Sequence, residues 1–445
     1  MNQLTVSLWG DEAFASILSQ KGLLDIITIA ARDTSPPLHY FFLHFWMMLF
    51  GTSEIAIRTF PMLLFVFLAF VVYKFAGEVY GKRAGVIAFF LTLFNPFLFV
   101  YAFEARMYML LALTATASMW LYVTKRWRWY IVATTAALYT HHFSIFVIFV
   151  QVLYYLFTQI PTVKKQITAP EKLIVNQLKN PFIRSLLVVV LLYAPWVPVL
   201  YMQTKHVAGD FWLPKPSFDD LRFLFAHFIA GSTKIGVEKL ILYTSFLLFF
   251  TRGFTRKKDF LIYLWLFFPA VLTYVMSQVG RPLFFDRYLI VSAPAIGLLL
   301  ASQKVSAITS KLVIVLLTIV LGGLFFVNLY SFKHPAKQPF RDVANYVFTM
   351  YGENKEVINY YTSALHYFEL KHYRVHVKVY SPDGPLPFWV GTALIDPHDV
   401  LVNLPKDNML LVMASGNIDR IIIPGYSRLR YEKFKDLYLL WFLKN

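Results

Sequence analysis

Long apolar runs separated by short, cation-rich breaks make up most of the chain up to Lys333, after which the pattern changes to short alternating segments. The runs predict spans at Arg58–Tyr80, Ala84–Ala102, Met107–Val123, Trp129–His141, Phe143–Phe157, Arg184–Met202, Leu240–Phe250, Phe260–Gln278, Tyr288–Ser302 and Leu312–Tyr330. Each extends toward the ~20 residues a bilayer requires. Two apolar stretches come earlier. Ala13 to Ala31 has Phe14, Ile17, Leu18, Leu24 and Ile27 at helical spacing, and Leu38 to Phe50 follows Pro36-Pro37. Both read as helices lying in the outer interface, because a crossing by the second would reverse every later orientation. The tail predicts a small α/β domain with helices near Phe340–Tyr351 and Ser363–His372. Its expected strands lie near Val357–Tyr361, Val375–Tyr380, Met409–Met413 and Arg420–Pro424.

The expected organisation is therefore an outer module with interfacial helices (1-57), a transmembrane helical domain of about ten spans (58-332) and a small extracytoplasmic α/β domain (333-445). No internal repeat is visible, which counts against folds built from inverted halves.

Composition agrees with lipid as the main solvent. Of the 445 residues 58% are hydrophobic and 15% charged, against about 45–50% and about 25% in a soluble domain. The net charge of +17 would suggest nucleic acid in a soluble protein. Here the cations sit between apolar runs, so they read as cytoplasmic loops and no nucleic-acid partner is expected. The clusters are Lys82 and Arg83; Lys125, Arg126 and Arg128; Lys164 to Arg184; Arg252 to Lys258; and Lys304 with Lys311. Parity then puts Glu104-Ala105-Arg106, the His141-His142 break, Gln203 to Lys239, Gly280 to Arg287 and the tail outside. Cysteine is absent, which removes disulfides, thiol catalysis and Cys-based zinc sites, so a metal would need His and carboxylate ligands. The opening MNQLTVSLWGDE lacks the basic start and apolar core of a cleavable signal peptide.

Three outward constellations carry candidate chemistry. The first is Asp11-Glu12, with Asp33 and His39 following. Carboxylates against a membrane are expensive to desolvate unless something uses them, although the same pair also suits the cap and first turn of a helix. The second is Glu104-Ala105-Arg106-Met107-Tyr108, where an arginine could hold a phosphate in a bidentate fork or form an interfacial ion pair. The third runs from Arg281 through Asp286 to Arg287 and Tyr288, residue types that also serve as interfacial anchors. His141 and His142 suit a phosphate better than a metal, because adjacent residues of a helix project in different directions. Trp212 could stack on a sugar face or simply form a turn.

The ordered set WGDEAFAS, DTSPPLHYFFLHFWMMLFG, EIAIRTFP, NPFLFVYAFEARMYML, YTHHF, YAPWVPV and DRYLIVSAP resembles family 39-type bacterial glycosyltransferases of the GT-C fold. These are similar to protein O-mannosyltransferases and to the aminoarabinose transferases acting on lipid A. The resemblance implies a polytopic α-helical membrane protein of GT-C type in the bacterial cytoplasmic membrane. It would move a sugar from a polyprenyl-phosphate donor to a glycan, lipid or protein acceptor, with inversion. By the same resemblance Asp11 is the base, Glu12 supports it or binds a divalent metal ion, and Glu104 is the acid of the second loop. Asp33, His39, Arg106, Tyr108, His142, Arg281, Arg287 and Tyr288 are the expected substrate-binding residues. Such enzymes place a span before the Asp-Glu loop, whereas ten residues precede Asp11 here. A transporter or flippase of lipid-linked sugars, or a surface-polysaccharide ligase or polymerase, is the competing expectation.

Overall fold

The computed structural model describes all residues except 167–177, 210–211, 233–234, 253–256, 303–309, 361–365 and 383. Parts of the Lys164 to Arg184, Arg252 to Lys258 and Lys304 clusters, and the start of the helix expected near Ser363, lie outside the described residues.

In chain order the helices are α1 (Gly10–Ser19), α2 (Leu23–Arg32), α3 (Leu38–Phe50), α4 (Glu54–Tyr80), α5 (Lys82–Leu93), α6 (Pro96–Tyr101), α7 (Tyr108–Val123), α8 (Trp127–Thr140) and α9 (Ser144–Gln166). There follow α10 (Pro181–Tyr193), α11 (Val197–Gly209), α12 (Phe218–Ala230), α13 (Val237–Arg252), α14 (Lys257–Val279), α15 (Pro294–Ala301), α16 (Ser310–Lys333), α17 (Phe340–Tyr351) and α18 (His366–His372). The strands are β1 (Glu356–Tyr360), β2 (His376–Tyr380), β3 (Val400–Leu401), β4 (Met409–Ser415), β5 (Tyr426–Phe434) and β6 (Leu437–Lys444).

Among the described residues, four helices are long and apolar enough to cross a membrane: Glu54–Tyr80, Pro181–Val207, Asp259–Val279 and Lys311–Lys333. Shorter apolar helices lie at Leu38–Phe50, Tyr108–Val123, Ser144–Gln159 and Tyr288–Ala301. The chain is a multi-pass membrane protein. Two helical expectations are corrected. The single interfacial helix over Ala13 to Ala31 is two, because Gly22 takes an extended conformation between α1 and α2. The run Ala84–Ala102 breaks at Asn95-Pro96, where proline removes a helical donor and Asn95 caps α6 by accepting from Leu98 N–H at 2.9 Å.

The chain divides into two compact units. One comprises Met1–Thr34, Tyr40–Arg58 and Lys333–Asn445, and the other Ser35–His39 and Thr59–Phe332. The first unit contains a six-stranded sheet of order β3-β2-β1-β4-β6-β5. Its β3, β2, β1 and β4 are parallel, and β6 and β5 add an antiparallel hairpin. Ile358, Leu410, Val412, Leu440 and Phe442 are buried together on this sheet, while Trp441 packs on Tyr346 of α17. The strand expected at Arg420–Pro424 is absent. Ile421 and Ile423 are buried while Ile422 is exposed, so the alternation is real, but the segment runs without regular structure from the 3-10 turn Ile418–Arg420 into Pro424-Gly425.

In the second unit, polar side chains inside the spans satisfy one another, as buried groups in an apolar medium must. Ser118 and Thr134 hydroxyls lie 2.8 Å apart between α7 and α8, and Gln151 of α9 donates to Ser118 and accepts from Tyr130.

Candidate functional site

Most of the predicted residues fall into one cluster within each unit. In the first unit the centre is Glu12. Its carboxylate accepts from Arg58 Nε at 3.0 Å and Nη2 at 2.8 Å, and from Lys337 Nζ at 2.9 Å. Arg58 and Glu12 are both fully buried, and Arg58 also donates to the carbonyls of Leu4, Val6 and Ser7. Burial by itself would raise the Glu12 pKa. The charges of Lys337 and Arg58 and their hydrogen bonds overcome that and hold it at about 2. Glu12 also completes a capping box with the backbone of Trp9. The metal-binding role expected for it is therefore not supported, since a cation would have to displace two side chains that already neutralise it. Among the described residues no group of three or more His, Asp or Glu is placed to hold a metal ion.

Asp11, next along α1, is half-buried, and Asp33 is buried at the end of α2. Around them Glu54 accepts from Arg341 and from the Tyr373 hydroxyl. Tyr373 in turn accepts from Leu8 N–H, and Ser16 pairs with His372. From α18, which packs against α1, the Glu369 carboxyl is within electrostatic reach of Asp11 and Glu12. Glu369 is 3% exposed.

In the second unit three segments remote in sequence converge. The break at Asn95 is fixed by its side chain, which donates to the Phe228 carbonyl of α12 at 2.7 Å. Gly231 ends α12 at φ +72, where a Cβ would lie 2.9 Å from Pro96. This anchors the short α6 and the Glu104-Ala105-Arg106 turn that follows it. His39 lies with its Nε2 3.3 Å from the Ala105 carbonyl. Arg106 is 8% exposed and within electrostatic reach of His39 and His141. The Arg287 guanidinium stands over four rings, at 5.7 Å from Tyr108, 5.8 Å from Trp212, 4.7 Å from Phe285 and 5.7 Å from Tyr288. Rings this close can hold the planar guanidinium in place while leaving its edge able to donate. His141 lies against Tyr288, with ring centroids 5.1 Å apart. Asp286 takes His227 Nδ1 at 3.0 Å and Arg287 N–H at 2.7 Å. Burial would raise its pKa, but His227, the Arg287 N–H and the Arg287 charge together lower it.

His39, Glu104, Arg106, Tyr108, Arg287 and Tyr288 are thus brought into one neighbourhood. His142 points elsewhere, to Gln203 at 2.9 Å and Tyr193 at 3.3 Å, and Arg281 stays exposed at the start of its loop. Sequence reasoning missed Arg58, Lys337, His227 and Glu369. The signal for Arg58 was legible, since a lone cation inside an apolar helix requires a buried acid. Glu369 carried no comparable signal.

The chain is similar to two sets of known proteins. Residues 34–198 match the dolichyl-phosphate-mannose-protein mannosyltransferase family. The whole chain has the fold of ArnT from Cupriavidus metallidurans in the apo state, at 13% identity and TM-score 0.67 over 99% of this chain and 95% of that one. The same enzyme bound to undecaprenyl phosphate aligns at 14% identity and TM-score 0.64 over the same shares. No curated protein matches the sequence. Over residues 34–198 the chain is thus similar to that mannosyltransferase family, and its fold is of GT-C type. Its particular likeness in fold is to ArnT, a lipid A aminoarabinose transferase.

Proposed function

We propose that this chain is an inverting glycosyltransferase that takes a sugar from a polyprenyl phosphate and places it on a protein, lipid or glycan acceptor at the outer face of the bacterial cytoplasmic membrane. The observation that carries the reading is the second-unit cluster. There Arg287, within 5.8 Å of four aromatic rings, sits in one neighbourhood with Arg106 and with the carboxylates of Glu104 and Asp286. Cations held in place before the substrate arrives can stabilise the charge that develops on a departing phosphate without reorganising. A solved structure of similar fold is bound to undecaprenyl phosphate, which supports a donor of that class.

The acceptor's nucleophile attacks the sugar C1 from the face opposite the phosphate. The new bond forms as the C1–O bond to phosphate breaks, and the electron pair leaves with the polyprenyl phosphate. The acceptor's proton goes to a carboxylate base, a role assigned to Asp11. A carrier of lipid-linked sugars would hold its ionisable residues at the bilayer midplane on interrupted helices. Glu104, Arg106, Asp286 and Arg287 lie instead in turns at helix ends.

The test is a deletion strain whose accumulating lipid-linked intermediates are identified by mass spectrometry. The wild-type chain should clear a polyprenyl-phosphate sugar, and Asp11→Asn, inserted at wild-type level, should not. Clearance by the Asn variant would remove Asp11 as base. Absence of any accumulating polyprenyl-phosphate sugar would remove the donor class.

A further inference from the structure

In the second unit the loop 212–216, α12 and the segment 284–286 enclose a cavity of about 390 Å³ that the proposed chemistry leaves unassigned. Its volume falls within the roughly 300–1,000 Å³ of small-molecule sites. Trp212, Phe223 and Phe285 line it with rings, and Asp220, His227 and Asp286 with polar groups. These walls are held without any ligand. Lys215 Nζ donates to the Gln278 carbonyl at 3.1 Å, and Gln278 Nε2 donates to the Pro216 carbonyl at 2.7 Å, which clasps the loop to the end of α14. Ser217 and Asp220 form the capping box that starts α12, and Trp212 meets Phe285 edge to face at 5.2 Å. His227 Nδ1 lies 3.0 Å from Asp286 Oδ2. The carboxylate keeps the proton on Nδ1, so Nε2 is the acceptor that this ring offers to the cavity.

We propose that this cavity binds a pyranose ring of the acceptor, which makes the acceptor a glycan or a glycan-bearing molecule. The proposal rests on the transferase reading above and names its acceptor class. Trp212 is 39% and Phe223 63% exposed, so both present ring surface on which the C–H face of a sugar can lie. Sugar hydroxyls both donate and accept, which suits an edge made of the His227 Nε2 acceptor and the Asp220 carboxylate. An extended peptide is the poorer fit. Pro214 and Pro216 remove two backbone N–H donors from the lining loop, so a peptide backbone finds no ladder there. The cavity adjoins the cluster proposed to hold the donor. Arg287 lies 5.8 Å from the Trp212 ring and 4.7 Å from the Phe285 ring, and 5.7 Å from Tyr108. Tyr108 follows the Glu104-Ala105-Arg106 turn, which brings the second arginine. The donor phosphate belongs with those two arginines, and the cavity beside them receives the molecule that attacks.

The experiment uses the full chain in nanodiscs, since sugar-headed detergents would compete. Saturation-transfer NMR with the methyl pyranosides of glucose, galactose and mannose and with N-acetylglucosamine should show binding of at least one. Phe223→Ala and Trp212→Ala should each weaken that binding about tenfold. His227→Asn keeps an N–H for Asp286 but loses Nε2, and should weaken it by a similar factor. The polyprenyl-phosphate sugar that accumulates in the deletion strain should bind Phe223→Ala and His227→Asn within twofold of wild type. Binding of none of the four sugars by wild type would overturn the proposal, as would wild-type sugar affinity in folded Phe223→Ala and Trp212→Ala. Loss of the donor lipid together with the sugars in Phe223→Ala and His227→Asn would put the donor's own sugar in the cavity and overturn it too. A serine- and threonine-containing peptide that binds wild type but not Phe223→Ala would assign the cavity to a protein acceptor instead. These readouts need no turnover, so their failure leaves Asp11 and the donor class standing, whereas a deletion strain that accumulates no such lipid removes the donor without touching sugar binding.

Discussion

Arg58 and Glu12, 46 residues apart in the chain, form a buried ion pair with two parallel hydrogen bonds of 3.0 and 2.8 Å. It ties the first turn of α1 to the first turns of α4. Removing one partner of a buried pair costs about 3–5 kcal/mol when the other charge is left uncompensated, and because Lys337 stays on Glu12 at 2.9 Å the loss falls toward the low end of that range. Arg58→Ala is therefore expected to lose that much stability, read as a lower melting temperature of the purified protein. The same pair sets an acid limit. Glu12 titrates at about 2 in the folded state, below its ordinary 4.5, so its stabilisation is present above pH 4.5 and is lost as pH falls toward 2. An Arg58→Ala melting temperature within a degree of wild type would show that the pair contributes nothing.

A second stability test falls where the Phe388–Val390 turn meets α1 and α18. Gly391 has φ +80, and a Cβ there would lie 2.9 Å from both Phe14 and Phe368. The two rings already meet edge to face at 5.3 Å, so neither can retreat freely. Gly391→Ala should cost roughly 2–5 kcal/mol, the sum of left-handed strain and overpacking. Unchanged unfolding of the Ala variant would mean that the turn relaxes.

How legible this was in the sequence depends on the element. The spans and the α17, β1, β2 and β4 segments announced themselves through apolar runs and short alternation, since burial in lipid or in a sheet core leaves that trace directly. The β5–β6 hairpin did not. Nearly every residue of β5 is exposed, with Arg428, Arg430, Glu432 and Lys433 along it, and β6 is a continuous apolar run rather than an alternating one. Asp11-Glu12 was visible as carboxylates against the membrane surface, and the Arg287 segment as charges at a span boundary. Their partners were not. Glu12 meets Lys337 across 325 residues, and the short helix that carries Glu369 packs on α1 from near the other end of the chain. Such pairings are fixed by tertiary packing, for which local periodicity carries no information.

The loop charges give a topology that can be read chemically. The chain has no cysteine, so single Cys probes need no background removal. Probes at Glu104, at Trp212 and in the sheet domain after Lys333 should react with a membrane-impermeant maleimide added from outside, and a probe beside Lys82 should not. Labelling of the first three only after the membrane is opened would reverse the assigned orientation.

The sharpest test of the proposed chemistry concerns Arg287. Its guanidinium lies over Phe285 at 4.7 Å, with Tyr108, Trp212 and Tyr288 within 5.8 Å, an arrangement suited to a flat, delocalised cation and poorly suited to an ammonium. If this fork holds the donor phosphate, Arg287→Lys keeps the charge but loses the bidentate geometry, and affinity for undecaprenyl phosphate should fall about tenfold. Arg287→Ala removes both, and a charge-assisted contact worth about 2–3 kcal/mol corresponds to a loss of roughly 30- to 150-fold. Arg106, buried in the same cluster, should follow the same order of Arg above Lys above Ala. A purely structural arginine predicts another pattern: Ala lowers the melting temperature, while the folded fraction binds undecaprenyl phosphate as wild type does. Binding measured on purified, folded Arg287→Ala separates the two. Unchanged affinity there, with a loss in Arg106→Ala, would move the phosphate to Arg106 and leave Arg287 as the residue that holds Tyr108, Phe285 and Tyr288 together.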